Sequence, residues 1–465
     1  MTAPGAARTK RHSPLHPVLI MLVMMLIAAA LTHLVPAGQF NRIGKRVVPG
    51  SYHVLPKMNG LPALLAPTAP AETDTPARAA GLVALLMAIP AGMTRSATLI
   101  FMVMFLGGMF GVLRATGAID AGVDRLLHMT AGNSYLLTAG LMVLLATGST
   151  FLGFLSEYLA LIPLVLILGQ RFELPNLFAP AIVVMSAMIG YAASVTNPIQ
   201  LSVAQPLAGV PIFSGILPRL VLFAIFLALG IGYVLLYLRR LPKAVHIPEK
   251  TPLTMRQIAV LVTVLLGGAV LVAGTIIWSW GTAENAALFI AFALALALVG
   301  GVRPALAADA FVEGMQVMLI ACVMIGLGSA MQVLLQSSQI LDSIVHGLSG
   351  LIQGHQRGLV ADLMMSVQAL FDLLIHSTSA LATITVPILT PIGHLSGVSS
   401  QVSVSALLLG SGLTNMISPT NGLLLAFLAA SRVNYLEWAR FVAPLVALYF
   451  VIGFLSLYVM ASLSY

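Results

Sequence analysis

The chain has 465 residues, of which 59% are hydrophobic and only 8% are charged. A water-soluble protein of this length needs about three times that share of charged residues, so lipid must surround most of this chain. The net charge of +8 does not indicate nucleic-acid binding, because the basic residues lie in loops without interleaved aromatic residues. The single cysteine, Cys322, excludes an internal disulfide and a cysteine-rich metal centre.

Apolar runs of about 20 residues predict the membrane helices in chain order. We expect nine of them, at 15–36, 96–116, 177–208, 217–238, 257–280, 284–301, 315–336, 402–430 and 439–461. The first run follows three basic residues but is too long for the apolar part of a signal peptide, so we interpret it as a membrane helix. A polar, proline-rich segment at 37–78 is the longest predicted loop.

Two further stretches each contain two apolar arms that are too short to cross the membrane alone. The first two-armed segment, 134–170, is split at Gly148–Gly153, and the second, 358–391, is split at His376–Ser379. Such a stretch must enter and leave on the same side, which predicts two re-entrant hairpins. Basic residues favour a cytoplasmic N-terminus, with 14 in the inner loops against 8 outside. The two hairpins would then enter from opposite sides.

Two of the predicted helices are interrupted by similar sequences. Ser194–Pro198 (SVTNP) divides the helix at 177–208, and Ser418–Gly422 (SPTNG) divides the helix at 402–430. Pro and Gly end helices, and non-helical backbone at membrane depth persists only where it lines a cavity or is packed in protein. Two packing kinks with back-bonded hydroxyls are the alternative interpretation, but the repetition favours a binding function.

The two halves of the chain match each other in order and at a nearly constant offset. The matched pairs are Ser194–Asn197 with Ser418–Asn421 and Pro163 with Pro387 at an offset of 224, and Ile119–Asp120 with Leu341–Asp342 and Ala88–Met93 with Ala310–Met315 at an offset of 222. An odd number of crossings separates the matched helices, so we expect two inverted repeats, 1–240 and 257–465, joined by a cytoplasmic linker at 241–256. The predicted fold is an all-α polytopic membrane protein of the kind common among secondary transporters.

Polar residues at the splits and breaks are the candidate binding residues. They are Ser149, Thr150, Ser156, Glu157, Ser194, Thr196, Asn197, Pro198, Asp372, His376, Ser377, Thr378, Ser379, Thr383, Asn415, Ser418, Pro419, Thr420, Asn421 and Gly422. Hydroxyl and amide groups both donate and accept hydrogen bonds, and the start of a half-helix favours an anion such as a carboxylate. Unwound carbonyls can coordinate a coupling ion, H⁺ or Na⁺, and we expect Na⁺ near Ser149, Asn197, Ser377 and Asn421. No other cofactor is expected.

Two acidic residues lie at predicted membrane depth, where an uncompensated charge is costly. Glu157 could bind a substrate ammonium group or relay a proton. Asp372 and His376 are four residues apart, so their side chains could pair on one helix face. A paired structural acid at Asp372 and an interfacial histidine at His376 are the alternatives.

Nearly the whole chain resembles the C4-dicarboxylate anaerobic carrier family, of the DcuC and YfcC type, within the ion-transporter superfamily. The stretches that carry the resemblance include HPVLIMLVMMLIAAALTHLVPAGQF from His16, GGMFGVLRATGAIDAGVDRLL from Gly107 and GYAASVTNPIQLSVAQPLAGVPIFSG from Gly190. The resemblance implies a scaffold and a mobile region, with tips and broken helices enclosing substrate and often Na⁺. Two departures affect substrate choice: Ser156–Glu157 stands where relatives often carry an acidic pair, and His376–Ser379 stands where they are often glycine-rich.

These observations predict a secondary transporter of the bacterial inner membrane for a small carboxylate-bearing metabolite. An amino acid, which could be a basic one, moved by ion coupling or by exchange, is slightly favoured, because Glu157 can meet an ammonium group and no Lys or Arg lies among the candidate residues. A C4-dicarboxylate coupled to Na⁺ or H⁺ is the close alternative, and a passive channel is the alternative from another class. The absence of G-x-x-x-x-G-K-[ST], H-E-x-x-H and G-x-S-x-G argues against an ATP-driven pump and the commonest hydrolases. A homodimer is one possible assembly.

Overall fold

The fold was analysed in a computed structural model, which describes residues 17–43, 46–48, 50–58, 77–119, 121–122, 125, 133–241, 253–278, 280–350, 352 and 354–463. The helices are α1 (Pro17–Leu34), α2 (Leu82–Arg95), α3 (Ala97–Ala115), α4 (Ser134–Leu152), α5 (Leu161–Arg171), α6 (Phe178–Ala193), α7 (Pro198–Leu207), α8 (Ile216–Arg239), α9 (Met255–Ile277), α10 (Thr282–Gly300), α11 (Pro304–Val317), α12 (Leu319–Ser337), α13 (Leu341–Ser349), α14 (Arg357–Asp372), α15 (Thr378–Leu395), α16 (Ser400–Asn415), α17 (Gly422–Ala430) and α18 (Tyr435–Ser462). Within the described residues, eight helical stretches are long and apolar enough to span a membrane. The predicted all-α polytopic fold is confirmed.

All nine predicted membrane helices are present within a few residues of their expected bounds, but two further helices of 14 residues, α2 and α11, and the nine-residue α13 were not predicted. Helix α2 leads into α3 through Ser96 alone, and α11 leads into α12 through Met318 alone. The sequence therefore predicted two interrupted helices where the described residues contain four. Helices α2 and α11 have 14 residues each, and α2 contains Pro90, so neither fills an apolar window of membrane length.

The first two-armed segment turns later than the sequence predicted. Helix α4 continues through Gly148, Ser149 and Thr150 and ends at Leu152, where Gly153 adopts a left-handed conformation with φ of 79°. The prediction that Gly148–Thr150 forms the tip was wrong, because these small residues serve close packing instead. A Cβ atom on Gly190 of α6 would lie only 2.7 Å from Cβ of Ser149. A short 3₁₀ helix at Ser156–Ala160 follows the turn and leads into α5.

The second two-armed segment lies close to its prediction. Helices α14 and α15 are separated by residues 373–377, so Thr378 and Ser379 belong to the first turn of α15. Ser377 caps this turn, since its Oγ accepts a hydrogen bond of 3.4 Å from the backbone N–H of Ala380. Whether the two segments enter the membrane and return stays a prediction.

Helix bounds repeat along the chain at the offset that the sequence matches gave. Helices α2, α3 and α6 begin at 82, 97 and 178, and α11, α12 and α16 begin at 304, 319 and 400, so each pair differs by 222. The inverted relation of the halves stays a prediction. Asp120 and most of the 241–256 linker lie outside the described residues.

The helices contact one another in two groups. We call α1–α3 with α9–α12 the first bundle, and α4–α8 with α14–α18 the second bundle, because most close helix contacts fall within these sets. Helix α17 also packs against α12, so it lies where the bundles meet. Cβ of Gly328 on α12, if present, would lie 3.4 Å from Cα of Gly422, which shows how closely the two backbones approach here.

Short strands in the 37–78 segment contact α13 and the end of α1. They form three two-residue pairs: β1 (Gly38–Gln39) with β4 (His53–Val54) and β2 (Arg42–Ile43) with β3 (Arg46–Val47), both antiparallel, and β5 (Lys57–Met58) with β6 (Ala77–Arg78), which is parallel. Arg42 forms an ion pair of 2.7 Å with Asp342 of α13, and Tyr52 donates a hydrogen bond of 3.0 Å to Ser343. Lys57 donates to the Thr32 and Val35 carbonyls at the end of α1, and burial there lowers the pKa of its ammonium group.

The centre of the first bundle is a close helix crossing between α3 and α11. A Cβ atom on Gly314 would overlap the carbonyl oxygen of Gly107, and one on Gly111 would overlap the carbonyl oxygen of Ala310. Small residues let membrane helices approach until their backbones touch, so this crossing admits no side chain.

We therefore expect Gly314→Ala to destabilise the protein by about 1–3 kcal/mol, because the added methyl group overpacks the crossing. Gly140→Ala is the matched control: Gly140 lies on exposed α4 surface, and a Cβ atom there would contact nothing within 4 Å. Melting temperatures of both variants in detergent would check this, and equal stability of the two would contradict the packing argument.

Candidate substrate-binding site

A buried carboxylate lies at the end of α14. The Asp372 side chain is fully buried, and its Oδ1 accepts hydrogen bonds from Ser411 Oγ at 2.6 Å and Asn415 Nδ2 at 3.1 Å. Asn415 Oδ1 in turn accepts a hydrogen bond of 2.7 Å from Asn421 Nδ2. We call these four residues the Asp372 cluster. It connects the second two-armed segment to the broken helix α16–α17.

His376 makes different contacts from those the sequence predicted. Its Nε2 lies 2.5 Å from Thr420 Oγ1 and 3.4 Å from Ser418 Oγ, whereas Asp372 bonds to Ser411 and Asn415. The predicted Asp372–His376 pair is therefore wrong. The reason is that α14 ends at Asp372, so the two side chains do not share a helix face. Thr420 also donates a hydrogen bond of 2.9 Å to the Leu373 carbonyl, which fastens the 418–422 break to the loop between α14 and α15.

In the first half, the predicted residues mostly fasten α4 to the broken helix α6–α7. Ser149 Oγ donates a hydrogen bond of 2.7 Å to the Ala187 carbonyl, and Thr150 Oγ1 accepts a hydrogen bond of 3.0 Å from the Val195 N–H. Ser194 adopts a left-handed conformation with φ of 43°, which ends α6. Thr196 donates from its backbone N–H to the Thr150 carbonyl at 3.2 Å. These residues therefore hold α4 against the broken helix α6–α7 and do not form an open site.

The two asparagines of the broken helices have the same local role. Asn197 Oδ1 accepts hydrogen bonds from the N–H groups of Ile199 and Gln200, and Asn421 Oδ1 accepts from those of Leu423 and Leu424. Each asparagine therefore caps the first turn of the half-helix that follows it. Pro198 and Gly422 are the first residues of α7 and α17, as the sequence predicted for helices that restart after a break.

A cavity of about 320 Å³ lies between the two bundles. From the second bundle it is lined by Leu155, Tyr191, His376, Ser377, Asn415, Asn421, Gly422 and Leu423, and from the first by Arg95, Ser96, Leu99, Ile325, Gly328, Ser329 and Gln332. Five predicted residues therefore line it. The chain positions two helix starts here, those of α15 and α17, whose N-termini favour negative charge.

Arg95 is the lining residue that sequence analysis missed. It ends α2, and its guanidinium donates a hydrogen bond to the neutral side chain of Gln336. Sequence analysis placed no Lys or Arg among the candidate residues, because Arg95 reads in the sequence as a loop residue before a membrane helix. The sequence match of Ala88–Met93 to Ala310–Met315 could have revealed α2. It relates α2 to α11, although neither helix contains an apolar window of membrane length. Within the described residues the one ion pair is Arg42–Asp342, so no protein carboxylate pairs with Arg95.

Other predicted residues do not line this cavity. Glu157 is half-buried and accepts a hydrogen bond of 3.1 Å from the backbone N–H of Leu155, which does line it. Thr383 Oγ1 donates 2.8 Å to the carbonyl of Ser379 within α15. Thr378 does not line the cavity either. Its Oγ1 accepts a hydrogen bond of 3.3 Å from Gln200 Nε2, which connects the two halves of the chain. No cluster of three His, Cys, Asp or Glu able to hold a metal occurs among the described residues.

A second cavity of about 530 Å³ opens farther along the same first-bundle helices. It is lined by α3 residues from Gly107 to Ala115, by α11 residues from Leu306 to Val317, and by α5 and Arg432. It shares no lining residue with the first cavity.

The sequence model described as "DcuC: C4-dicarboxylate anaerobic carrier" matches residues 16–462, nearly the whole chain. The chain belongs to the C4-dicarboxylate anaerobic carrier family. This membership makes it a membrane transport protein and confirms the resemblance found in the sequence.

Two relatives align with this member of the C4-dicarboxylate anaerobic carrier family over 382 residues each. One, of Escherichia coli (strain K12), is named "Putative basic amino acid antiporter YfcC" and is 28% identical over 76% of both chains. The other, of Haemophilus influenzae, is 25% identical over 77% of this chain and 74% of that one.

Two solved transporter structures are similar over almost the whole chain. The YdaH transporter of Alcanivorax borkumensis is 17% identical with a TM-score of 0.43, covering 97% of this chain and 99% of that one. MtrF of Neisseria gonorrhoeae is 16% identical with the same TM-score, covering 97% and 95%. Likenesses at this score support no argument about the site.

Proposed function

We propose that the protein is a secondary carrier that binds a small carboxylate-bearing metabolite in the cavity between the bundles. One observation carries this proposal: Arg95 on the first bundle faces the starts of α15 and α17 on the second bundle across about 320 Å³. A guanidinium with no carboxylate partner in the described part of the chain and two helix N-termini all favour an anion. A site shared by two bundles can open to either side when one bundle moves against the other.

Within this class, the lining favours a dicarboxylate over an amino acid. None of the lining residues is acidic, and the amino-acid interpretation rested on Glu157, which is not among them. A dianion could meet Arg95 with one carboxylate and the helix starts with the other. A basic amino acid moved by exchange is the second candidate, because the E. coli relative is named as an antiporter of that kind.

Glu157→Gln separates these two substrates. The amide oxygen of Gln can still accept the Leu155 N–H, so the loop should keep its structure. If a dicarboxylate is the substrate, we expect uptake within about twofold of wild type, whereas an ammonium-bearing substrate that pairs with Glu157 should lose most of its uptake. Initial rates for dicarboxylates and basic amino acids in proteoliposomes would check this, with reconstituted protein measured to confirm equal insertion.

The two separate cavities support a carrier over a passive channel. A channel needs one continuous path, whereas the two cavities have no lining residue in common. Saturable uptake with stimulation by substrate on the opposite side would support the carrier, and large single-channel currents would support the pore.

Counterflow in proteoliposomes tests the proposal directly. Vesicles loaded with unlabelled dicarboxylate or amino acid should accumulate the labelled form transiently, and this should be measured with Na⁺ or with a pH gradient. Failure of every carboxylate-bearing substrate to exchange under all these conditions would overturn the proposal. We place the protein in the bacterial inner membrane with its N-terminus in the cytoplasm, and the homodimer stays a prediction.

A further inference from the structure

The Asp372 carboxylate has one satisfied and one unsatisfied oxygen. Oδ1 accepts two hydrogen bonds from neutral donors, Ser411 and Asn415, while the buried Oδ2 has no hydrogen-bond partner among the described residues. Two donors on Oδ1 suit an ionised carboxylate. An ionised carboxylate with one bare oxygen at this depth is costly, so its charge must be neutralised from the Oδ2 side.

The protein does not supply that neutralising charge. Within the described residues, neither a hydrogen bond nor an ion pair joins Asp372 to Lys, Arg or His. Helices α15, α16 and α18 pack against α14. Helix α16 has no titratable residue, α15 has His394 at its far end, and α18 has Tyr435, Glu437, Arg440, Tyr449 and Tyr458. On the cavity side the titratable or charged lining residues are His376, Tyr191 and Arg95. Among the described residues none of the three is bonded to Asp372, and Arg95 donates to Gln336 instead.

We infer that Asp372 binds the coupling cation of transport, a proton or Na⁺, on Oδ2. This inference rests on the proposed carrier function. It differs from the Na⁺ positions predicted from the sequence, because the ligand is a carboxylate behind the cavity and not a hydroxyl or amide at a tip. The cation and the substrate would be neighbours: Asn415 contacts Asp372 directly and also lines the cavity.

The Asp372 cluster provides the connection between the two sites. A cation on Asp372 weakens the pull of the carboxylate on Asn415 Nδ2, and Asn415 Oδ1 holds Asn421, the cap of α17. The state of Asp372 is thus linked through two side chains to a helix start that faces the substrate. Binding of one ligand must then alter the affinity for the other by the same factor.

The first half of the chain cannot build an equivalent carboxylate site. At the offset of 222 that relates the helices, Asp372, Ser411 and Asn415 correspond to Thr150, Ile189 and Ala193. The acid and both of its donors are missing together. A carboxylate site of this kind therefore belongs to the second half alone.

Asp372→Asn tests this inference in transport. The amide mimics the neutralised carboxylate, so the variant should still exchange substrate for substrate across proteoliposome membranes. Accumulation driven by an imposed Na⁺ gradient or pH gradient, tested separately, should fall at least tenfold. Whichever gradient, Na⁺ or pH, drives accumulation by the wild-type protein identifies the cation. Glu437→Gln, which removes an exposed acid on α18 that lines neither cavity, is the control and should accumulate substrate as wild type does. Undiminished accumulation by Asp372→Asn would overturn the inference.

A binding measurement that needs no transport separates this inference from the proposed function. A cation that binds the folded protein raises its melting temperature by mass action. In detergent, Na⁺ at constant ionic strength with K⁺, or a fall in pH, should raise the melting temperature of wild type and of Glu437→Gln but not of Asp372→Asn. An identical response of all three would overturn the inference. If the response depends on Asp372 while no carboxylate exchanges, the proposed function fails and the cation site stands.

Ser411→Ala is the second variant if Asp372→Asn does not fold. It keeps the carboxylate but removes the 2.6 Å hydrogen bond to Oδ1 that stabilises the ionised form. The empty site then becomes less stable, so the cation should bind more tightly. We expect half-maximal stabilisation at a lower Na⁺ concentration or at a higher pH than in wild type, and an unchanged midpoint would count against Asp372 as the ligand.

Discussion

Arg95→Ala should raise the substrate concentration for half-maximal uptake by about 10- to 100-fold, or abolish uptake. A hydrogen bond to a charged group contributes about 1.5–3 kcal/mol, and about 1.4 kcal/mol corresponds to a tenfold change in affinity. Arg95 lines the cavity and pairs with neutral Gln336, so its charge is available to a substrate carboxylate. Concentration-dependent uptake in proteoliposomes would measure the loss.

Two further variants make this test specific. Arg95→Lys keeps the charge but loses the planar fork that bonds both oxygens of a carboxylate, so it should fall between wild type and Arg95→Ala. Arg303→Gln removes an exposed arginine next to α11 that lines neither cavity, and it should leave uptake unchanged. Wild-type affinity in Arg95→Ala would exclude Arg95 from substrate binding.

Asn421→Ala should abolish most transport while the protein still folds. The side chain caps α17 and also holds Asn415, so its removal takes away an N-cap worth about 1 kcal/mol and leaves Asn415 Oδ1 without its donor, at about 1–3 kcal/mol. Both losses fall on the wall of the cavity. Uptake rate, corrected for reconstituted protein, would measure the effect.

Two other capping asparagines serve as controls for Asn421. Asn434 caps α18 at an exposed position, so Asn434→Ala should reduce stability by about 1 kcal/mol without changing transport. Asn197 caps α7 in the first half but does not line the cavity, so Asn197→Ala should affect transport less than Asn421→Ala. Equal transport by Asn421→Ala and Asn434→Ala would show that capping alone matters at Asn421.

The membrane helices were predictable because hydropathy acts over a whole span. The breaks at Ser194–Pro198 and Ser418–Gly422 were predictable because Pro, Gly and capping Asn act locally, and both breaks fall where expected. Helix α2 was not predictable in this way, since its 14 residues and Pro90 resemble the end of a loop. Its stability comes from packing against α12, which no local pattern contains.

The candidate site was only partly predictable for a related reason. His376, Ser377, Asn415, Asn421 and Gly422 were identified because they interrupt an apolar run, and all five line the cavity. Arg95 lies more than 200 residues before Ser329 and Gln332, and these two lie more than 40 residues before His376, so only tertiary structure unites them. Ser149 and Thr150 were predicted at the tip of the first two-armed segment but lie inside α4. A small polar residue can either end a helix or allow close helix packing, and the sequence does not distinguish the two.

The positions of the two cavities along the first bundle imply how far the cargo must travel. On α3 the lining of the first cavity ends at Leu99 and the lining of the second begins at Gly107. Where α11 leads into α12, the lining of the second cavity ends at Met318 and the lining of the first begins at Ile325. At 1.5 Å per residue, these gaps correspond to about 10–12 Å of helix. Side-chain rotation cannot bridge such a length. In the proposed carrier, passage of the cargo from one cavity to the other would need whole helices of the second bundle to slide past apolar residues 100–106 by about two helical turns.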